Sequence, residues 1–397
     1  MTAQAPERTT TVTLGIEKLL TTERRLVDGR AVGLLCNPAS VDGSFRHSAD
    51  LVFDDPGVTL AAIFGPQHGF RADLQDNMIE TPHGRDARRR IPVYSLYSEV
   101  REPSADMLQG LDALVVDIQD VGTRVYTFIY TVANCLRAAA RHKVPVIVCD
   151  RPNPIDGVDV EGNLLDAAYA SFVGQFPIPM RHGMTVGELA KLFNDHFRIG
   201  ADLHVVTMDG WTRGMFYDDT KLPWIMPSPN IPTLDTAIVY PGAVLFEGTK
   251  LSEGRGTTRP FELIGAPWID GERLADAMNG RDLPGVHFRP AFFEPTFQKH
   301  ARQSCGGCQL HVLDRSAFRP VRAAVELIDE FQRQAPSHFA WREPPYEYEH
   351  GKMPIDILYG SDRLRQAISE GSVRSLVDGW GADEERFRKT REPFLLY

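Results

Sequence analysis

The sequence predicts an α/β protein: a Rossmann-like, doubly wound parallel sheet followed by a second, smaller α+β domain. Three observations predict it. Through the first 210 residues, short apolar runs alternate with helical patterns. Those runs are continuously apolar rather than alternating, which marks strands covered on both faces. After residue 210 the texture changes to a stretch punctuated by proline and glycine, and then to short mixed elements. At 397 residues the chain exceeds one ordinary core. It is read as a flexible tail at 1–12, the Rossmann-like part at 13–222, and an irregular segment with the α+β domain at 223–397.

The strand candidates, in order, are AVGLLCN (31–37), VTLAAIFG (58–65), IPVYSLY (91–97), ALVVDIQ (113–119), VPVIVCD (144–150) and DLHVVTM (202–208). Between the fourth and fifth, YTFIYTVANCLRAAARHK (126–143) has helical apolar spacing and basic residues at its end, where the helix dipole favours them. TVGELAKLFNDHF (185–197) opens with a capping-box pattern, Thr185 and Glu188. Strands separated by helices imply a parallel sheet. The stretch at 223–267 is too rich in aromatics for a linker and too punctuated for regular elements, so a functional irregular segment is expected. A strand at 307–314, a helix at 320–334, and then PPYEYE and PIDIL complete the chain.

Forty-three basic against 53 acidic residues leave a net charge of -10, which disfavours nucleic acid or anionic membranes as general partners. The basic run GRDARRR (84–90) lacks interleaved aromatics and reads as a solvated loop. The polar, threonine-rich start has no secretory core, and no apolar run is long enough to span a membrane. Five cysteines, mostly within apolar segments, fit buried thiols in a reducing compartment, so a cytoplasmic protein is expected. CGGC (305–308) has no second ligand pair nearby. No strand runs into G-x-G-x-x-G, and P-loop, H-E-x-x-H and G-x-S-x-G motifs are missing. Neither a cofactor nor a metal is expected.

Ligands of doubly wound sheets sit at the carboxyl ends of the strands, and here those ends are polar. They carry Gln67, His68 and Arg71; Tyr94; Asp117, Asp120, Arg124 and Tyr126; and Asp150, Arg151 and Asn153. Each also has a structural reading. His68 suits a satisfied buried histidine, Asp120 a helix cap, and Asp150 and Asn153 turns before proline. Asp117, inside an apolar strand, needs a partner such as Arg124 or Arg151. The irregular segment adds Glu247, Glu253, Arg255, Arg259 and Glu262 in a glycine-rich loop. Carboxylates, histidine, tyrosines and arginines in a cleft are what a glycosidase uses, and they equally suit a binding protein for an acidic sugar.

The ordered series GLLCNPAS, FGPQHGFR, PVYSLY, DIQDVGTRVYT, DRPNPIDG, RHGMTVGELA, PSPNIPTLDTAIVYPG, FEGTKLSEGRGTTRPFE, PTFQKH and PYEYE resembles one family, the exo-β-N-acetylmuramidase (NamZ-type) glycoside hydrolases. The resemblance runs from about residue 13 to the C-terminus. It implies an active site between the Rossmann-like part and the smaller domain, and exo release of N-acetylmuramic acid from non-reducing ends of peptidoglycan fragments. The alternative is a non-catalytic muropeptide or amino-sugar sensor of the same fold. On that resemblance the lactyl carboxylate falls to Arg71, Arg124, Arg151, Arg255 or Arg259, and the sugar ring to Tyr94 or Tyr126. Gln67 and Asn153 join as substrate-binding residues, and His68 as the working residue of its turn. One departure stands out: many members carry glutamate where this chain has Gln67. Catalysis then rests on Asp117, Asp120, Glu247 or Glu253, on a nucleophile supplied by the substrate's own 2-acetamido group, or on Asp76 or Glu80 just downstream. Otherwise this branch acts on something else.

Overall fold

The structure, a computed structural model, describes residues 12–72, 74 and 79–397. The expected tail lies outside them except for Val12, which is buried; Asp76 also lies outside. Seven strands form the first sheet: β1 (Ala31–Cys36), β2 (Thr59–Gly65), β3 (Gly84–Arg85), β4 (Pro92–Ser95), β5 (Ala113–Asp117), β6 (Val146–Cys149) and β7 (Leu203–Val206). Their order is β3-β4-β2-β1-β5-β6-β7, all pairs parallel except β3 with β4. Setting aside the two-residue edge strand, this is the doubly wound Rossmann order, and the winding reverses between β1 and β5. Cys36 pairs with Asp117 at that reversal. The site therefore belongs beyond the ends of β1, β2 and β5.

The helix expected at 126–143 spans Phe128–His142 and ends on Lys143 in the left-handed conformation. Its start is unusual, because the Thr127 hydroxyl does not cap the helix but donates to the Gln67 side-chain oxygen at 2.7 Å. The Thr185–Glu188 capping box forms as read, on a helix of Val186–Lys191 that continues into a π-helical turn to His196. The basic run at 84–90 is less solvated than expected. Arg88 and Arg89 both pair with Asp50 at 2.5 Å, and Arg89 is buried against Asp86.

The second sheet is antiparallel, β8 (Leu263–Ala266), β10 (Cys305–Val312) and β9 (Val286–Phe293) in that spatial order, with helix Gly271–Asn279 on it and helix Pro320–Gln334 packed on that helix. CGGC is a packing feature. A Cβ on Gly307 would lie 2.0 Å from the Ile264 carbonyl oxygen, and one on Gly306 2.1 Å from that of Ile269, so only glycine admits these backbones. Cys305 and Cys308 are buried within β10, and all five cysteines are free thiols.

The expectation of no regular element in 223–267 needs correction, because Leu234–Ala243 is a helix. It escapes periodicity analysis because Thr236 through Ala243 are all buried, leaving no polar face, and because Pro241 lies inside it. Thr233 caps it. It packs on Pro320–Gln334, and one hydrophobic cluster runs from Leu35, Phe64 and Val116 in the first sheet to Phe246 and Phe331 in the second part. Among the described residues no helix is long and apolar enough to cross a membrane.

The helix contact depends on Gly242, where a Cβ would lie 1.9 Å from the Pro320 carbonyl oxygen. Gly242→Ala should lower unfolding free energy by about 1–3 kcal/mol. Urea denaturation checks this, and an unchanged midpoint would refute it.

Candidate active site

A pocket of about 480 Å³, its open mouth included, lies where the strand ends meet the second part. One wall is the turn after β2, with Gln67 and His68, and the segment Val125–Phe128 after β5. Ser228, Asn230 and Tyr240 form a second side. Glu247, Arg255, Tyr346 and Glu347 close the third.

Two glutamates on that closing side are buried, and their surroundings push them in opposite directions. Glu347 accepts from Gln67 Nε2 at 3.2 Å and from the Tyr97 hydroxyl at 2.8 Å. Burial raises its pKa, the nearby charge of Glu247 adds to the rise, and the two hydrogen bonds only partly offset it. Glu247 accepts from Arg255 Nη2 at 2.7 Å and from the Tyr346 hydroxyl at 2.7 Å. Burial alone would raise Glu247 too, but the Arg255 guanidinium and these hydrogen bonds outweigh it and hold the carboxyl below its ordinary value. Arg255 is steadied from behind by Glu253 at 3.4 Å, itself bonded to Lys299 at 2.8 Å. One pocket thus holds a carboxyl that tends to keep its proton and a carboxylate that does not.

The backbone delivers these groups at a cost. Tyr346 and Glu349 exchange main-chain hydrogen bonds around a two-residue turn, in which Glu347 (φ 44°) and Tyr348 (φ 69°) are both left-handed. Such turns prefer asparagine and glycine. His68 is left-handed as well, at φ 69°. Strain of this kind at non-glycine residues collects at functional sites. The His68 ring bonds the Leu74 carbonyl oxygen through Nδ1 at 2.7 Å. A carbonyl only accepts, so Nδ1 carries the proton, and Nε2 is the acceptor of the neutral ring.

Of the candidate residues, the fold brings Gln67, His68, Tyr126, Glu247 and Arg255 together on this pocket. The others stand elsewhere. Asp117 forms a buried two-point ion pair with Arg151, at 2.5 and 2.8 Å, and also accepts from Ser48. Both residues are therefore committed to each other. Arg124 donates to the carbonyl oxygens of Asn163, Ile178, Leu358 and Tyr359. Asn153 bonds the Ile155 amide and the Met184 carbonyl, the turn reading. Asp120 caps the Gly122 amide at 2.7 Å rather than a helix, with His182 3.7 Å away. Asp150 accepts from Thr185, Gly187 and the Tyr397 hydroxyl. Arg259 pairs with Glu262 at 3.2 Å beside a different cleft. Tyr94 packs on Phe64 and His83, and Arg71 is exposed outside the pocket wall. Glu80 is exposed near the rim, and Glu253 supports Arg255 rather than lining the pocket.

Glu347 and Tyr346 went unassigned although PPYEYE stood out in the sequence. Its signal was acid alternating with tyrosine directly after two prolines, which is the composition of neither a strand nor a linker.

Comparison with known proteins gives matches over nearly the whole chain. The family models for exo-beta-N-acetylmuramidase NamZ match residues 32–235 (N-terminal) and 238–397 (C-terminal). The peptidoglycan beta-N-acetylmuramidase NamZ of Bacillus subtilis is 44% identical over 397 residues, covering 100% of this chain and 93% of that protein. A crystal structure of a DUF1343 family protein from Bacteroides fragilis superposes with a TM-score of 0.89 at 34% identity, over 98% of this chain and 100% of the other. A second from the same organism gives 0.74 at 29%, over 97% and 99%.

If Arg151 serves Asp117 rather than a ligand, Arg151→Met leaves a buried charge without its partner. Stability should fall by about 3–5 kcal/mol, and Asp117→Asn in the same chain should recover much of the loss. Denaturant melts of the single and double variants check this; additive losses would refute the pairing.

Proposed function

The chain belongs to the exo-β-N-acetylmuramidase NamZ family, and from that premise we propose that it releases N-acetylmuramic acid from the non-reducing ends of peptidoglycan fragments, with Glu347 as its general acid. The observation that carries the assignment is the pair of buried glutamates on one pocket, Glu247 held by a guanidinium and Glu347 by an amide and a phenol. Hydrolysis of a glycosidic bond needs a proton for the departing oxygen and negative charge beside the oxocarbenium-like centre. Glu347, whose hold on its proton burial strengthens, supplies the first. Glu247, kept ionised by Arg255, supplies the second.

Both oxygens of Glu247 are engaged, by Arg255 and by Tyr346. Its pairing with the Arg255 guanidinium, which withdraws nucleophilicity from the carboxylate, favours a stabilising and orienting role over attack on the sugar. The 2-acetamido carbonyl oxygen of the substrate then forms the bond to C1 as the C1–O glycosidic bond breaks and Glu347 protonates the leaving oxygen. Water, relieved of a proton by the now ionised Glu347, opens the cyclic intermediate. Gln67 fits this scheme as an amide that orients Glu347 and is itself held by Thr127. A carboxyl at position 67 is not required. Five buried free thiols support a reducing, cytoplasmic setting, and an exo enzyme there would act in fragment recycling.

The wild-type protein is expected to liberate N-acetylmuramic acid from a β-linked disaccharide, or from its chromogenic analogue, between about pH 5 and 8, the window in which carboxyl acids of raised pKa work. No release at any pH, with ligand-induced stabilisation alone, would make it a binding protein.

Glu347→Gln should lower kcat on the disaccharide by about 10²–10⁴ and lower it less on an aryl glycoside with a good leaving group. The acid acts while protonated, so wild-type activity should fall as pH rises through the raised pKa of Glu347, and the variant should lose that alkaline limb. Equal losses on both substrates would place the acid elsewhere.

A further inference from the structure

We infer that Arg101, which packs on the Tyr97 ring beside Glu347, reads the carboxylate of the bound sugar by exchanging its loose partner Glu80 for it. The ligand's identity rests on the function proposed above. N-acetylmuramic acid differs from N-acetylglucosamine by a lactyl ether bearing one carboxylate, so discrimination between them requires a cation able to accept a new partner.

The arginines expected to do this are either committed to other partners or, like Arg71, stand outside the pocket wall. Arg255 holds Glu247 at 2.7 Å and Glu253 at 3.4 Å. Arg124 is saturated by main-chain carbonyls, Arg151 by Asp117, and Arg259 faces another cleft. Arg101 differs in how it is held. Its guanidinium lies 4.3 Å from the Tyr97 ring centre, 4.6 Å from that of Tyr348 and 5.5 Å from that of Phe172. Nη1 donates to the Ser98 carbonyl oxygen. Its carboxylate contact is to Glu80, through Nη2 at 3.4 Å. That is longer than the roughly 2.7–2.9 Å of a good charge-assisted hydrogen bond. The Glu80 side chain is 48% exposed and Arg101 22%, so the pair faces water.

Position completes the argument. The Tyr97 ring that carries Arg101 donates its hydroxyl to Glu347, Tyr348 follows Glu347 in the chain, and Phe172 precedes Val173 of the pocket wall. Arg101 therefore stands one aromatic ring from the proposed acid, on the solvent side. The rings pack against the guanidinium without taking up its N–H groups, and its planar fork matches a carboxylate. Glu80, which contacts Arg101 and the Tyr348 hydroxyl at 3.4 Å each, is the carboxylate that a sugar carboxylate would displace.

The test is calorimetric binding of N-acetylmuramic acid and N-acetylglucosamine to the wild-type protein and to Arg101→Gln, Arg101→Lys and Glu80→Gln, with circular dichroism to confirm folding. Wild type should prefer the muramic acid. Arg101→Gln should weaken it by about 10- to 100-fold, as loss of a hydrogen-bonded charge does, and abolish the preference; Arg101→Lys should restore part of it. Glu80→Gln should tighten muramic acid binding by removing the competitor. A preference that survives in Arg101→Gln overturns the inference, as does a Glu80→Gln variant weakened as much as Arg101→Gln, which would make the pair a structural brace. Wild-type binding without turnover would remove the hydrolytic reading and leave the Arg101 comparison intact. Turnover with an unaltered preference in Arg101→Gln would remove the Arg101 inference alone. Binding of neither sugar overturns both.

Discussion

The buried ion pair of Asp117 with Arg151 is the constraint on which the site side of the sheet depends. A carboxylate at the end of a fully covered strand cannot remain ionised alone, and Arg151 reaches it with two nitrogens from the end of β6. The same guanidinium bonds the Val41 carbonyl after β1, and Ser48 completes the carboxylate's shell. Three strand ends are thereby tied at the point where the winding reverses. Asn153, two residues after Arg151, packs its side chain over Gly122, where a Cβ would lie only 2.5 Å from Asn153 Oδ1. That contact shapes the turn that carries Val125, Tyr126 and Thr127 to the pocket wall. A charge pair thus sets geometry one layer behind the chemistry, without touching the ligand.

Within the pocket, electrostatics divide the work between residues of one type. Glu247 and Glu347 are both buried glutamates, and burial pushes each toward the neutral form. A guanidinium beside one and an amide and a phenol beside the other separate them. The charge of Glu247 adds to the rise that burial gives the Glu347 pKa. The departure at Gln67 acquires a physical meaning here. An amide between Thr127 and Glu347 bridges the Rossmann-like wall to the closing turn by hydrogen bonds alone, whereas a carboxylate there would add a second negative charge beside that of Glu247.

The division of the chain into two sheets and the family membership are consistent with a site built from both parts. The N-terminal family model ends at residue 235 and the C-terminal one begins at 238, within the buried helix Leu234–Ala243. That helix contributes Tyr240 to the pocket and packs on the Pro320–Gln334 helix. The pocket is therefore fixed by the hydrophobic cluster that joins the two sheets rather than by a mobile seam.

The sequence by itself determined the sheet, the strand ends and the general place of the site. Short continuous apolar runs separated by helical patterns point to covered parallel strands, the Thr185–Glu188 pattern is a local capping signal, and Gln67–His68 stands directly after a strand. These are short-range facts, carried by adjacent residues. The helix Leu234–Ala243 was not legible, because burial on all sides removes the periodicity by which a helix is read. Nor were the roles of the charged residues. Asp117 and Glu247 look alike in sequence, yet one is closed off by Arg151 and the other faces a pocket beside Arg255. Glu347 lies 280 positions from the Gln67 it touches. Which buried charge is satisfied and which is offered to a ligand depends on partners brought from distant parts of the chain, and only the tertiary structure decided that.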